Sequence, residues 1–190
     1  LIVGPGQLSQ TADLIERVRR GDGRQTALSL GRRDGPTESI RRSHETFDPL
    51  RDPEMRPTPF QAYLRIQIGC DKFCTFCITR LARGKGHSQP VEKILADIYF
   101  ARRGGAQEVV LSGVHLGSWG NDQEPKKQLK DLIEQILTES DIPRLRLSSL
   151  EPWDISQDFF ELWRNPRLCR HLHLPLQSGS GRILKQMARK

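Results

Sequence analysis

Residues 63–77 read YLRIQIGCDKFCTFC. Apolar and polar side chains alternate up to Ile68, the period of a half-buried strand. Gly69 then permits a tight turn, and Cys70, Cys74 and Cys77 follow within eight residues. Asp71, Lys72 and Thr75 interleave with the cysteines and make the loop polar, which argues against three inert buried thiols. A disulfide between two of them leaves an odd thiol. A structural zinc site wants four ligands, commonly in two separated pairs, so zinc here needs His87 or Cys169 as the fourth. An iron-sulfur cluster is held by Cys thiolates. Three on one loop hold three corners of a cubane and leave the fourth iron open to a cofactor or substrate. Phe73, Phe76 and Ile78 are placed to shield such a cluster from water.

Downstream, strand and helix patterns alternate. Pro90 and Glu92 suit the first turn of a helix in which Val91, Ile94, Leu95 and Ile98 share a face, and Gly104 and Gly105 end it. EVVLSGV (108–114) reads as a buried strand, LKDLIEQILTE (129–139) as an amphipathic helix, RLRLSSL (144–150) as a strand and DFFELW (158–163) as a short helix. HLHLPLQ (171–177) reads as a further strand, and GRILKQMARK (181–190) begins another helix. Four β-then-α units with short loops imply a parallel sheet with right-handed crossovers, either open or part of a barrel. Ligand sites of such sheets lie at the carboxyl ends of the strands. The cysteines, SGVHLGSWG (112–120), SSLEP (148–152) and PLQSGS (175–180) all fall there.

Upstream, LIVG (1–4) reads as a short strand and TADLIERVRR (11–20) as a helix with Leu14, Ile15 and Val18 at helical spacing. Residues 21–60, rich in Arg, Gly, Pro, Ser and Thr, read as a linker that Arg24, Arg32, Arg33, Arg41 and Arg42 keep solvated. The expected layout is therefore one β-then-α unit, too small to fold alone, at 1–20, a linker at 21–60, and an α/β domain from 61 to 190. The 190 residues, 36% hydrophobic and 28% charged, fit a globular chain without an apolar run of membrane-spanning length. Four cysteines exclude a disulfide-stapled secreted scaffold, and no signal-like segment opens the chain, so a cytoplasmic setting is expected. A net charge of +7 favours a polyanionic partner.

Cys70-x3-Cys74-x2-Cys77, with an aromatic before the last cysteine, resembles the signature of radical S-adenosylmethionine (SAM) enzymes. The longer wording resembles the methylthiotransferases over residues 61–190: GCDKFCTFCI, Arg83-Gly84, VVLSGVHLGSWG, RLRLSSLEP and HLHLPLQSGSGRILKQM. LIVG…ERVRR is similar to the end of that family's amino-terminal domain. The resemblance implies a partial radical SAM (βα) barrel of four βα units, a fragment truncated before its end. It implies that Cys70, Cys74 and Cys77 ligate a 4Fe-4S cluster whose open iron chelates SAM. An electron then cleaves the sulfonium, and the resulting deoxyadenosyl radical takes hydrogen from the substrate. Ser112 and Gly113 are implied contacts for the methionine portion, and Ser149, Glu151, Gln177 and Ser178 for ribose or carboxylate.

The family's inserted sulfur comes from a second 4Fe-4S cluster on an amino-terminal domain absent here. Implied partners are tRNA, whose phosphates Arg83 and Lys85 would meet, and an electron donor, with no membrane; oligomeric state stays open. His115, His171 and His173 are read as strand-end or core histidines and Cys169 as a small buried residue. Gln89 and Gly181 depart from the family wording, which often has Arg and Asp or Asn there. SGVHLGSWG and SSLEP look most like the branch acting on N6-threonylcarbamoyladenosine beside the anticodon. The alternatives are the isopentenyladenosine branch, the branch modifying a ribosomal protein and, from another class, a zinc-stabilised RNA-binding module.

Overall fold

The computed structural model describes residues 1–4, 6–28 and 53–189. Arg32, Arg33, Arg41 and Arg42 of the expected linker lie outside the described residues. In the first part, β1 (Ile2–Val3) pairs in parallel with β2 (Thr26–Ala27), and α1 (Thr11–Arg19) connects them. The Thr11 hydroxyl donates to Leu8 O at 2.7 Å and so steadies the start of the helix. Of the three apolar positions expected to share a face, Leu14 is buried, whereas Ile15 and Val18 stay exposed. The partner strand β2 falls within the stretch read as linker, so the β-then-α unit closes at Ala27.

The remainder is one sheet with helices packed on one face. In chain order it comprises β3 (Gln61–Ile68), α2 (Thr79–Arg83), β4 (His87–Ser88), α3 (Val91–Arg103), β5 (Glu108–Gly113), α4 (Leu129–Glu139) and β6 (Arg144–Leu147). A 3-10 stretch (Gln157–Arg164) and α5 (Gly181–Gln186) follow. Strand order is β4-β3-β5-β6. β3, β5 and β6 run parallel, in register Tyr63↔Val110↔Arg146, while β4 turns back antiparallel against the end of β3.

Alternation assigns the two faces. Ala62, Leu64 and Ile66, Val109 and Leu111, and Leu145 and Leu147 point to the helices and form one core with Ile94 and Ile98 of α3 and Leu132, Ile133 and Ile136 of α4. Each such side chain removed from water stabilises the fold by about 1.5–3 kcal/mol. The intervening residues Tyr63, Arg65, Gln67, Glu108, Val110, Arg144 and Arg146 line the other face. There Glu108 accepts hydrogen bonds from Arg146 (2.8 Å), Arg144 (2.9 Å) and Gln61 (2.7 Å). Arg146 foremost holds its carboxyl down to about 2, against the opposing effect of burial. One apolar and one charged face make this the partial α/β barrel that the βα series implies.

The short helix expected at 158–163 is a 3-10 helix, with Phe159 and Leu162 on its buried side. One element differs from expectation. HLHLPLQ (171–177) is extended but forms no continuous strand. It meets the extension of β6 through one parallel bridge, Ser149↔His173, and through the Leu150 N–H to His173 O at 3.0 Å, while the bridge to β6 itself, Leu145↔Leu168, falls just ahead of the segment. Pro175 offers no N–H to a ladder, and Leu174 and Leu176 stay exposed, at 41% and 77%. Among the described residues, no helix is long and apolar enough to cross a membrane.

Candidate functional site

The antiparallel return of β4 beside β3 makes residues 69–86 a closed loop. Gly69 starts it at φ +70, and a Cβ there would sit 2.1 Å from Lys85 O, so only glycine fits. The Cys70 N–H donates to Gly84 O at 3.1 Å, pinning the first cysteine across the loop's base. Asp71 reaches over to the Gly86 N–H (3.4 Å) and pairs with Arg80 (3.6 Å). The Cys77 N–H closes onto Cys74 O at 3.0 Å. A distant segment secures the middle: Thr75 donates through its N–H to Met187 O and through its hydroxyl to Gln186 O, both at 3.1 Å.

Each of the three sulfurs faces one N–H donor. Lys72 N lies 3.4 Å from Cys70 Sγ, Thr79 N 3.5 Å from Cys77 Sγ, and Arg189 Nη1 3.6 Å from Cys74 Sγ. Donors converging on sulfur are what thiolates need once they carry charge. Burial pushes the Cys70 thiol up, the Lys72 N–H draws it down, and negative charge on Cys74 and Cys77 adds to the rise. Three thiolates on one loop therefore call for a cationic centre to offset their repulsion, and this donor set fits an iron-sulfur cluster. Among the described residues, no three His, Cys, Asp or Glu side chains are gathered tightly enough to hold a metal ion. Neither candidate fourth zinc ligand is engaged with the loop. His87 Nδ1 is paired with Asp122 at 3.2 Å, and Cys169 faces Glu108 at 3.6 Å, at the opposite end of the parallel strands. Cys169 is buried, as its reading as a small buried residue has it. The expected apolar shield is not closed: Phe73, Phe76 and Ile78 are all more than half exposed, and Arg80 lies over the Phe73 ring at 4.1 Å.

The other strand ends complete the mouth. Gln67, buried on β3, donates to Ile68 O and Gly69 O and accepts the His115 N–H at 2.9 Å, tying the cysteine turn to the end of β5. Gly113 lies against it, with a Cβ position only 3.1 Å from Gln67 Cβ, so it closes the floor without a side chain. Ser112, next to it, is half-buried and in register with Arg65. Ser149 Oγ meets His173 Nδ1 at 2.8 Å. Gln177 is exposed in a left-handed conformation (φ 58), and Ser178 Oγ accepts the Ser180 N–H at 3.1 Å. Glu151 pairs with Arg189, which joins it to Cys74.

Several contributors carry no motif. His115, read as a core histidine, is buried and donates from Nε2 to Asp154 at 2.9 Å. Gly117 leaves room for that carboxylate, which a Cβ would meet at 2.2 Å. Gln67, Asp154, Trp153 and Arg189 were not singled out by sequence. The one signal was Gln67 itself, a polar residue just ahead of the Gly-Cys turn. Trp153 also lines a cavity of about 280 Å³, together with Trp119, Asn121, Gln128, Asp154 and Phe159 among others.

The radical SAM superfamily model matches residues 64–190, and the chain belongs to that superfamily, whose members use a 4Fe-4S cluster and SAM. Among solved structures it resembles the radical SAM methyltransferase TsrM from Kitasatospora setae (TM-score 0.55, 15% identity, 69% of this chain and 24% of that one). It also resembles the cobalamin-dependent SAM radical enzyme OxsB (TM-score 0.54, 15% identity, 95% and 28%). At such identities the likeness is one of fold.

More specific is its similarity to proteins named tRNA-2-methylthio-N(6)-dimethylallyladenosine synthase. The one from Rhodopirellula baltica is 44% identical over 193 residues, covering 100% of this chain and 40% of that protein. Those from Syntrophobacter fumaroxidans (35% over 190 residues, 100% and 39%) and Sulfurimonas denitrificans (36% over 140 residues, 72% and 32%) share the name. The chain thus spans about 40% or less of these relatives. Their name is that of the dimethylallyl, or isopentenyl, branch. It favours the alternative over the threonylcarbamoyl branch suggested by SGVHLGSWG and SSLEP.

Proposed function

We propose that the chain is the radical-generating part of a methylthiotransferase acting on N6-dimethylallyladenosine in tRNA. The observation that carries this is the 44% identity to the Rhodopirellula baltica synthase along the entire chain. Cys70, Cys74 and Cys77 would hold the cluster, which supplies the electron that cleaves SAM reductively. The chain's own part is to bind and orient. Gly69 and the Gly84 carbonyl fix where Cys70 stands, while the N–H groups of Lys72 and Thr79 and the Arg189 guanidinium offset charge on the sulfurs. Ser112 and Gly113 would receive the methionine portion of SAM, and Ser149, Gln177 and Ser178 its ribose or carboxylate. Glu151 would act through Arg189. Arg83 and Lys85, on the returning side of the cysteine loop, would meet tRNA phosphates in a salt-dependent way. An electron donor, a second cluster as sulfur source and a cytoplasmic setting belong to the same proposal.

The test is nucleoside mass spectrometry of tRNA from a deletion strain complemented with the parent gene. Methylthiolated dimethylallyladenosine is the expected product. Methylthiolated threonylcarbamoyladenosine alone would return the protein to the other branch. Cys70→Ser should abolish the product, and Cys169→Ser should leave it unchanged.

A further inference from the structure

Arg189 is a buried cation with three neighbours of different kinds. Its side chain is 6% exposed, and Nη2 pairs with the Glu151 carboxylate. The guanidinium lies 5.2 Å from the centre of the Trp153 ring. Nη1 points at Cys74 Sγ, 3.6 Å away. The backbone is bent to bring it there: after α5, Ala188 takes φ +52, its N–H donating to Lys185 O at 3.1 Å and the Arg189 N–H to Leu184 O at 2.9 Å. A left-handed non-glycine residue persists only where its surroundings hold it. The same turn supplies the Gln186 and Met187 carbonyls that accept from Thr75. One turn thus delivers three contacts to the cysteine loop, 115 residues away along the chain from Cys74.

We infer that Arg189 is a positioning residue that donates a hydrogen bond to the Cys74 thiolate, is held in place by Glu151, and thereby raises the reduction potential of the cluster on this loop. The inference rests on the proposed role of the three cysteines. A donor on a ligating sulfur withdraws negative charge and favours the reduced cluster, the more negative of the two states. Glu151 then serves the site through the arginine it fixes, a different role from the ribose or carboxylate contact its sequence position implied.

The experiment is an anaerobic redox titration of the reconstituted protein, followed by electron paramagnetic resonance, for the parent, Arg189→Gln, Arg189→Lys and Glu151→Gln. Iron and sulfide analysis of the parent comes first and tests the cluster assignment alone; a parent without cluster sinks that assignment and this inference together. With cluster present, Arg189→Gln should shift the reduction equilibrium at least tenfold toward the oxidised state, about 59 mV more negative for one electron. Arg189→Lys should shift it less. Glu151→Gln should also move it negative, because the guanidinium loses its anchor. An unchanged potential in Arg189→Gln overturns the inference, and so does a positive shift in Glu151→Gln, the sign that loss of a nearby negative charge gives without positioning. Should Arg189→Gln lose its iron, Arg189→Lys and Glu151→Gln decide by the same signs.

Discussion

β3 and residues 171–177 are extended segments along the same half-barrel, and they are held in opposite ways. β3 is hydrogen-bonded to β4 on one side and β5 on the other, and it buries Leu64 and Ile66 under the helices. Residues 171–177 meet the β6 side at His173 and leave Leu176 at 77% exposure. The difference teaches that side-chain alternation specifies extended backbone, whereas a ladder needs a neighbour in register and an N–H at each step. Truncating each apolar residue measures the gap. Ile66→Ala should cost about 2–5 kcal/mol in urea denaturation. Leu176→Ala should stay within about 0.5 kcal/mol. A comparable loss at both positions would break the comparison, because Leu176 would then be covered in solution.

The turns that follow the two segments differ in the same sense. A Cβ on Gly69 meets the Lys85 carbonyl at 2.1 Å in a left-handed conformation, whereas one on Gly179 meets nothing within 4 Å. Gly69→Ala should therefore destabilise by about 3 kcal/mol from strain and overlap together, and it should reduce iron uptake by displacing Cys70. Gly179→Ala should leave both stability and iron content unchanged. Equal iron content in the two variants would show that the cysteine loop does not depend on its tight entry.

At the other end of the sheet, Glu108 joins Gln61 of β3 to Arg144 and Arg146 of β6 and to Cys169, which leads into residues 171–177. Its carboxyl is lowered from 4.5 to about 2. The stability it contributes is therefore present above its unfolded value of 4.5 and is lost as the pH falls through about 2. Glu108→Gln should cost about 2–3 kcal/mol at neutral pH and flatten the acid limb of stability across that window. An unaltered acid limb in the variant would assign the acid sensitivity to other carboxylates.

What sequence made legible follows from range. The cysteine loop depends on residues a few positions apart and on one glycine, so its chemistry could be read directly. The helices α3 and α4 and the strands β3, β5 and β6 announced themselves by period. The return strand β4 is two residues long, too short to show a period, yet it closes the loop that carries the cysteines. Gln67 to His115, His115 to Asp154 and Arg189 to Cys74 are contacts between distant segments, and no local pattern marks the pairing. The branch is hard to read for a related reason. A few loop words, SGVHLGSWG and SSLEP, point to the threonylcarbamoyl branch, whereas the names of the relatives similar along the whole chain favour the dimethylallyl alternative.

The smallest expected effect concerns Gln177, where residues 171–177 end. Its φ of 58 is unfavourable for a residue with a Cβ, and its side chain is exposed. The left-handed conformation costs about 1–2 kcal/mol, part of which glycine would relieve while losing about 0.5–1 kcal/mol to its own entropy. Gln177→Gly should thus stabilise the chain by roughly 0.5 kcal/mol, the difference of those two terms. A strained residue that stabilises on replacement is kept for some other purpose, and the proposed one here is contact with SAM. Equilibrium dialysis of SAM against the reconstituted variant separates the possibilities. Higher stability with weaker SAM binding is the expected pair, and it would mark the end of residues 171–177 as shaped by the cofactor. Higher stability with unchanged binding would remove Gln177 from the site and leave its conformation to the chain's path into α5.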